Sequence, residues 1–136
     1  MEIKQKTRKM LEKIIRKLAR MAEDEVRKPS VNSSIFKIPR LVRLADKDCK
    51  NLDVQDDIDH LQDELIKGNY QAGIGRGRLP GTRILYMRAK HGGRLYFIPE
   101  QEGYNIVAKS GKKSQGKVIS ELKSRYPKSP GYNRAA

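Results

Sequence analysis

The chain has 136 residues, enough for one domain of ordinary size or a small domain carrying an appended helix. Lys and Arg number 30 against 16 Asp and Glu, a net charge of +14, while 37% of residues are apolar and 6% aromatic, with no Trp. These figures exclude a large α/β enzyme, a barrel and a two-domain cofactor protein. They leave a small, very basic protein with a modest aliphatic core and a polyanionic partner. The single Cys49 makes no internal disulfide, which fits a reducing cytosol. No apolar run reaches the length of a membrane span, and none at the N-terminus reads as a signal-peptide core.

The charge is unevenly spread. Residues 1–28 hold ten basic and five acidic side chains, a net of +5; residues 29–67 hold six and eight, a net of −2. Residues 68–136 hold fourteen basic and three acidic, a net of +11. That last segment also carries Ile84, Leu85, Leu95, Phe97, Ile106 and Val107. Its charge is therefore expected on a folded surface rather than on a disordered tail.

Met10, Leu11, Ile14, Ile15, Leu18, Met21, Ala22 and Val26 recur at three- and four-residue spacing and predict an amphipathic basic helix within residues 1–28. Lys28-Pro29-Ser30 ends it. Such a helix packs on the domain or on a partner. A basic amphipathic helix can also lie on an anionic membrane, although this one has no Trp or Phe on its apolar face. A loop rich in Ser and Asn follows, then a short helical stretch around Leu41, Leu44 and Ala45. A clearer helix has Val54, Ile58, Leu61, Leu65 and Ile66 on one face. Asp53 is its expected cap, and Asp53, Asp56 and Asp57 read as surface charges that suit the positive helix N-terminus. Gly68 closes it.

From Gly68 to Gly81, with five glycines, the chain reads as a loop. The period then changes to two. Thr82 to Lys90, Arg94 to Pro99 and Tyr104 to Lys109 predict three strands, joined through His91-Gly92-Gly93 and Glu102-Gly103. Ser114 can cap a last helix that buries Val118, Ile119 and Leu122 and ends at Tyr126. Residues 127–136 read as a flexible tail. The fold class is α+β: N-terminal helices, a twisted antiparallel sheet and a C-terminal helix, with residues 35–126 as one domain. No clear first strand is legible ahead of the helices, unless Ser34 to Ile38 supplies it.

The hairpin register carries a functional expectation. A three-residue turn, His91 to Gly93, pairs Lys90 with Arg94 and Arg88 with Tyr96. One face then holds Leu85, Met87, Ala89, Leu95 and Phe97. The other holds Tyr86, Arg88, Lys90, Arg94 and Tyr96, expected to face solvent. Basic groups interleaved with tyrosines suit phosphates and bases; the alternative is an ordinary solvated face.

Metal chemistry finds little support: His60 and His91 are the only histidines, and no zinc spacing can be drawn with Cys49. Neither metal nor cofactor is expected. Gly73-Ile74-Gly75-Arg76-Gly77 precedes a strand, the wrong context for a dinucleotide site. Ser110-Gly111-Lys112-Lys113-Ser114 lacks the order of a phosphate loop. RNA cleavage needs fewer parts: a base for the ribose 2′-OH, positive charge for the phosphorane and an acid for the leaving 5′-oxygen. His91, at a glycine-flanked turn beside Arg88, Lys90 and Arg94, is the best candidate for a proton transfer; an exposed turn histidine is the plain alternative. His60, in the acidic helix, reads as structural. Lys109 and Tyr126 could contact phosphate or assist proton transfer.

The segment from Gly73 to Tyr126, about 40% of the chain, resembles the RelE-type branch of the barnase–EndoU–colicin–RelE ribonuclease toxins. Its track is GIGRGRLPG, the hairpin YMRAKHGGRLYF, the strand ending IVAKSGKKSQ and the helix KVISELKSRY. Arg88 and Arg94 match the basic residues that this family sets around the scissile phosphate, Lys109 the basic residue near the end of the third hairpin strand, and Tyr126 a C-terminal aromatic. The resemblance implies metal-independent cleavage of tRNA or mRNA to a 2′,3′-cyclic phosphate, inhibiting translation. It also implies a cognate antitoxin or immunity protein, acidic at its contact surface. Action would be cytoplasmic, after delivery from another cell if the chain is the toxin part of a larger exported effector. The expected catalytic set is His91, Arg88, Arg94, Lys109 and Tyr126. The expected RNA contacts are Arg76, Arg78, Arg83, Tyr86, Lys90, Tyr96, Lys112 and Lys113. The rival readings are a non-catalytic RNA-binding module, and a partner- or membrane-surface-binding protein that works through its first helix.

Overall fold

A computed structural model describes residues 2–27 and 29–126; the expected tail, 127–136, lies outside the described residues. Four helices form: α1 (Glu2–Arg27), α2 (Pro39–Asp48), α3 (Leu52–Ile66) and α4 (Gln115–Arg125). Five strands, β1 (Ser30–Ser33), β2 (Gly75–Arg78), β3 (Leu85–Arg88), β4 (Arg94–Glu100) and β5 (Gly103–Ser110), make one sheet in the order β1-β5-β4-β3-β2. The α+β order of helices, sheet and closing helix is the one the sequence predicts.

Two strands differ from expectation. The first is Ser30–Ser33, not Ser34 to Ile38, which instead makes a 3-10 turn over Ile35–Lys37. It lies parallel to β5, so the sheet is mixed. The second, β2, falls inside the segment that reads as loop. Its glycines have a steric reason: a Cβ on Gly77 would meet the Tyr86 ring, and one on Gly75 the Arg88 guanidinium. Bare backbone on this edge makes room for the large side chains of β3, and it removes the apolar alternation by which a strand is recognised.

The hairpin pairs Arg88 with Arg94, Met87 with Leu95 and Tyr86 with Tyr96. Five residues, Ala89 to Gly93, therefore connect the strands, rather than three. The shift is two residues, so the assignment of faces survives. Met87, Ala89, Leu95 and Phe97 pack with Ile106 against Leu61 and Leu65 of α3.

The opposite face is solvated only in part: Arg88 and Lys90 are exposed, but the rest is covered. Ile84, Tyr96, Val107 and Ala108 form a second core with Leu41 of α2 and with Val118 and Leu122 of α4. Tyr96 is 1% exposed and Arg94 6% exposed, which corrects the expectation that both face solvent. The apolar stripes of α2 and α4 need a surface to bury, and this face is where they lie.

At the start of α3 the cap is Asn51 rather than Asp53: its Oδ1 accepts from the backbone N–H of Asp53 at 3.0 Å and of Val54 at 3.4 Å. The helix α1 forms as expected, but Met10, Leu11, Ile14, Ile15 and Leu18 are between 49% and 64% exposed, so these five side chains are not packed on the domain. Among the described residues no helix is long and apolar enough to cross a membrane.

Candidate active site

Asp57 is a carboxylate buried under the hairpin connection. It lies one helical turn from Val54 and from Leu61, in phase with the buried face of α3, and is 6% exposed. Its Oδ2 accepts from the backbone N–H of His91 at 2.7 Å and of Gly93 at 2.9 Å. Its Oδ1 stands 3.2 Å from His91 Nδ1. A carboxylate only accepts, so the proton of the neutral imidazole sits on Nδ1 and Nε2 carries the lone pair. The close approach explains Gly93: a Cβ there would collide with that of Asp57 and stand 3.0 Å from Val54 O. Gly92, at φ +90°, completes the turn in a conformation natural to glycine. The His91 side chain remains 45% exposed.

A second buried carboxylate shapes the neighbouring loop. Asp48, in phase with Leu41 and Ala45 on α2, is 7% exposed. Its Oδ2 accepts from the N–H of Gly111 at 2.7 Å and of Ser114 at 3.1 Å, and its Oδ1 from the Ser114 hydroxyl at 2.8 Å. Ser114 thus holds the N-cap position of α4 but gives its hydroxyl to Asp48 and makes no cap bond. Between the two loops opens a cleft of about 410 Å³, lined by His91 with Lys47, Lys50, Lys112 and Lys113, and by Asn51, Val54, Gly111 and Asp48. All four lysines are exposed, and Asp48 has both oxygens engaged. The field in the cleft is positive.

Of the expected catalytic set, His91 alone lines this cleft. Arg94 is buried, and its Nη1 donates to Gly92 O at 2.7 Å. Arg88 is exposed, with its guanidinium over Gly75 of β2. Lys109 pairs with Leu95, on the α3 side of the sheet, near Cys49. Burial pushes the Cys49 thiol up, and the Lys109 ammonium opposes this. Tyr126, at the far end of α4, packs on the second core. It is not brought to His91.

Of the expected RNA contacts, Lys112 and Lys113 line the His91 cleft, and Lys90 is exposed in the same turn as His91. Arg78, Tyr86 and Tyr96 line a different cleft beside Arg94. Tyr96 Oη is 3.0 Å from Ser110 Oγ, and burial raises its phenol above the usual value. Arg76 is held on the far side of β2 by a bond to Gln71 O at 3.1 Å, and Arg83 is exposed in the loop before β3. His60 is exposed on α3.

Asp57, Asp48, Lys47, Lys50 and Asn51 escape the sequence reading. The two carboxylates leave one trace there: each falls at the helical phase of an apolar stripe, where a surface charge has no place. Asp57 is thereby corrected from a surface charge to the residue that holds the His91 turn. Among the described residues no three His, Cys, Asp or Glu side chains stand close enough together to hold a metal ion. What the cleft offers is one oriented imidazole and four ammonium groups. In comparison with known proteins, no family model matches the chain, and neither a curated protein nor a solved structure is significantly similar to it.

Proposed function

We propose that the chain is an endoribonuclease that cleaves RNA by attack of the ribose 2′-OH on the adjacent phosphate, without a metal. The observation that carries this reading is the Asp57–His91 pair at the edge of a lysine-lined cleft. Nε2 of His91 takes the proton of the 2′-OH as the 2′-oxygen bonds to phosphorus. The lysine ammonium groups neutralise the dianionic phosphorane. The P–O5′ bond then breaks, and the leaving oxygen takes a proton from an ammonium group or from water. The products are a 2′,3′-cyclic phosphate and a free 5′-OH.

Asp57 keeps the imidazole in the required tautomer and stabilises the imidazolium as it forms, the role a buried carboxylate plays beside a catalytic histidine. The lysine-lined cleft supports a polyanionic substrate, and the resemblance of residues 73–126 to ribonuclease toxins extends the proposal to tRNA or mRNA, to toxicity through loss of translation in the cytoplasm, and to neutralisation by an acidic immunity protein or antitoxin.

The test is incubation of the purified protein with total RNA in EDTA. Fragments ending in 2′,3′-cyclic phosphate are expected, with a fall of roughly 10²–10⁴-fold in rate for His91→Ala. Intact RNA across tRNA, rRNA and mRNA substrates overturns the nuclease and leaves a module that binds RNA without cutting it.

A further inference from the structure

Arg94 lines a cleft distinct from the one that holds His91. Its side chain enters the second core, 6% exposed, and its one hydrogen bond is to the neutral carbonyl of Gly92. Among the described residues no carboxylate forms an ion pair with it. The nearby acids are committed elsewhere. Glu121 pairs with Arg40 at 3.6 Å and Arg125 at 3.2 Å, Glu100 and Glu102 lie at the opposite end of β4 and β5, and Asp48 holds Gly111 and Ser114. The rest of the guanidinium is not sealed from solvent: it lines an open cleft, where an external anion can meet it.

The place for that anion is a cleft of about 340 Å³ floored by Arg94 and Tyr96, beneath α4 and beside β3. Arg78 and Lys123 add positive charge, and Tyr86, Leu79 and Ile119 add an apolar wall. Gln115, the first residue of α4, brings an amide and the positive end of a helix whose first turn lacks a side-chain cap. The cleft adjoins the His91 turn: the Cβ position of Gly92 is 3.8 Å from Arg94 Nη1 and 3.7 Å from Lys112 Cβ.

We infer that this second cleft binds one nucleotide of the RNA strand flanking the cut, its phosphate on Arg94 and its base against the Tyr86–Ile119 wall, within reach of the Gln115 amide. Arg suits the phosphate through its planar fork, and a tyrosine face with an aliphatic wall suits a base. The inference takes from the proposed function only that the ligand is RNA; it assigns the site that reads the neighbouring base.

The test is NMR titration of the labelled full chain with AMP, GMP, CMP, UMP, ribose 5-phosphate and inorganic phosphate. At least one nucleotide is expected to bind about tenfold more tightly than inorganic phosphate, shifting Tyr86, Gln115 and Ile119. Arg94→Met is expected to weaken nucleotide binding about tenfold while leaving the melting temperature within a few degrees of the parent, because it keeps the apolar stem and gives up one hydrogen bond to a backbone carbonyl. Gln115→Ala, at the outer end of α4, is expected to reduce the preference among bases without touching the core.

Inorganic phosphate binding as tightly as every nucleotide, shifts confined to the His91 cleft, or no saturable binding overturns the subsite. So does an Arg94→Met variant that melts far lower yet binds nucleotides normally. Binding is read without cleavage. A chain that binds nucleotides here but leaves RNA intact refutes the nuclease alone, and one that cuts RNA but ignores the nucleotides refutes the subsite alone.

Discussion

Two loops at one end of the sheet are held by the same device and differ in the side chain that each gives to it. The β3–β4 connection hangs on Asp57 of α3, and the β5–α4 connection hangs on Asp48 of α2. Each carboxylate is nearly inaccessible, and each accepts from two backbone N–H groups and one side chain. The fit differs: a Cβ on Gly93 would collide with Asp57, whereas one on Gly111 would stand 3.4 Å from Asp48, an ordinary contact. The third partner makes the difference. Asp48 takes the Ser114 hydroxyl, whereas Asp57 takes the imidazole of His91, a group that can carry a proton. On the proposed function, one residue of the loop above turns a carboxylate that serves the backbone into half of a proton-transfer pair.

Removing each carboxylate breaks the comparison most severely. Asp57→Ala and Asp48→Ala both strand buried N–H groups, and each is expected to lose about 2–4 kcal/mol in urea denaturation. Their effects on cleavage by the folded fraction should separate. Asp57→Ala is expected to lower kcat at least about tenfold with KM little changed, because the imidazole loses its tautomer and orientation. In Asp48→Ala the lysine-bearing loop loosens, so KM rises while kcat is largely kept. Equal changes in kcat would show that both carboxylates are scaffolding and that Asp57 has no special relation to the chemistry.

The fold was largely legible and the site only partly so, for one physical reason. Periodicity reports which face of an element is buried, and it located α1, α3, α4 and the three central strands within a few residues. It failed at β1 and β2, where Ser30–Ser33 and Gly75–Arg78 are edge strands with almost no apolar side chains to alternate. At the candidate site, local sequence singled out His91, whose glycine neighbours mark a sharp turn. Its partner Asp57 lies 34 positions away and is joined to it only by the docking of α3 on the sheet. Arg94 shows the limit most clearly. Alternation correctly set it opposite Leu95, but alternation cannot say whether that opposite face meets water or a second layer of helices.

The lysines of the Asp48-anchored loop sharpen the comparison from the substrate's side. Lys112 and Lys113 are exposed and line the cleft without a buried role. The double variant Lys112→Ala/Lys113→Ala is therefore expected to keep its stability within about 0.5 kcal/mol. RNA binding should weaken for all sequences alike, and the slope of log affinity against log salt should shallow by roughly 1–2. Filter binding across a salt series reads both. An unchanged slope would put the phosphates elsewhere and detach the Asp48 loop from the site.

The smallest expected effect concerns the bond that ties the stems of the two loops together. Tyr96, on the strand leaving the His91 turn, meets Ser110, on the strand entering the Asp48-held loop, at 3.0 Å in a fully buried position. Tyr96→Phe keeps the ring and strands the Ser110 hydroxyl, so near neutral pH it should cost about 1 kcal/mol. Burial raises the folded-state pKa of Tyr96 above its usual 10.0, with the Ser110 bond and the Arg94 charge opposing the rise. A raised folded value means that the native state holds the phenol proton more tightly than the unfolded chain does. The corresponding stability is fully present below pH 10.0 and is lost as pH climbs through the folded value. The variant has no such proton to lose. Its deficit against the parent should therefore shrink above pH 10.0, while Tyr104, raised by its own burial, contributes equally to both. Urea denaturation at pH 7 and at two or three values above pH 10 measures the gap. A gap that stays constant with pH would mean that the phenol proton contributes nothing to the union of the two stems.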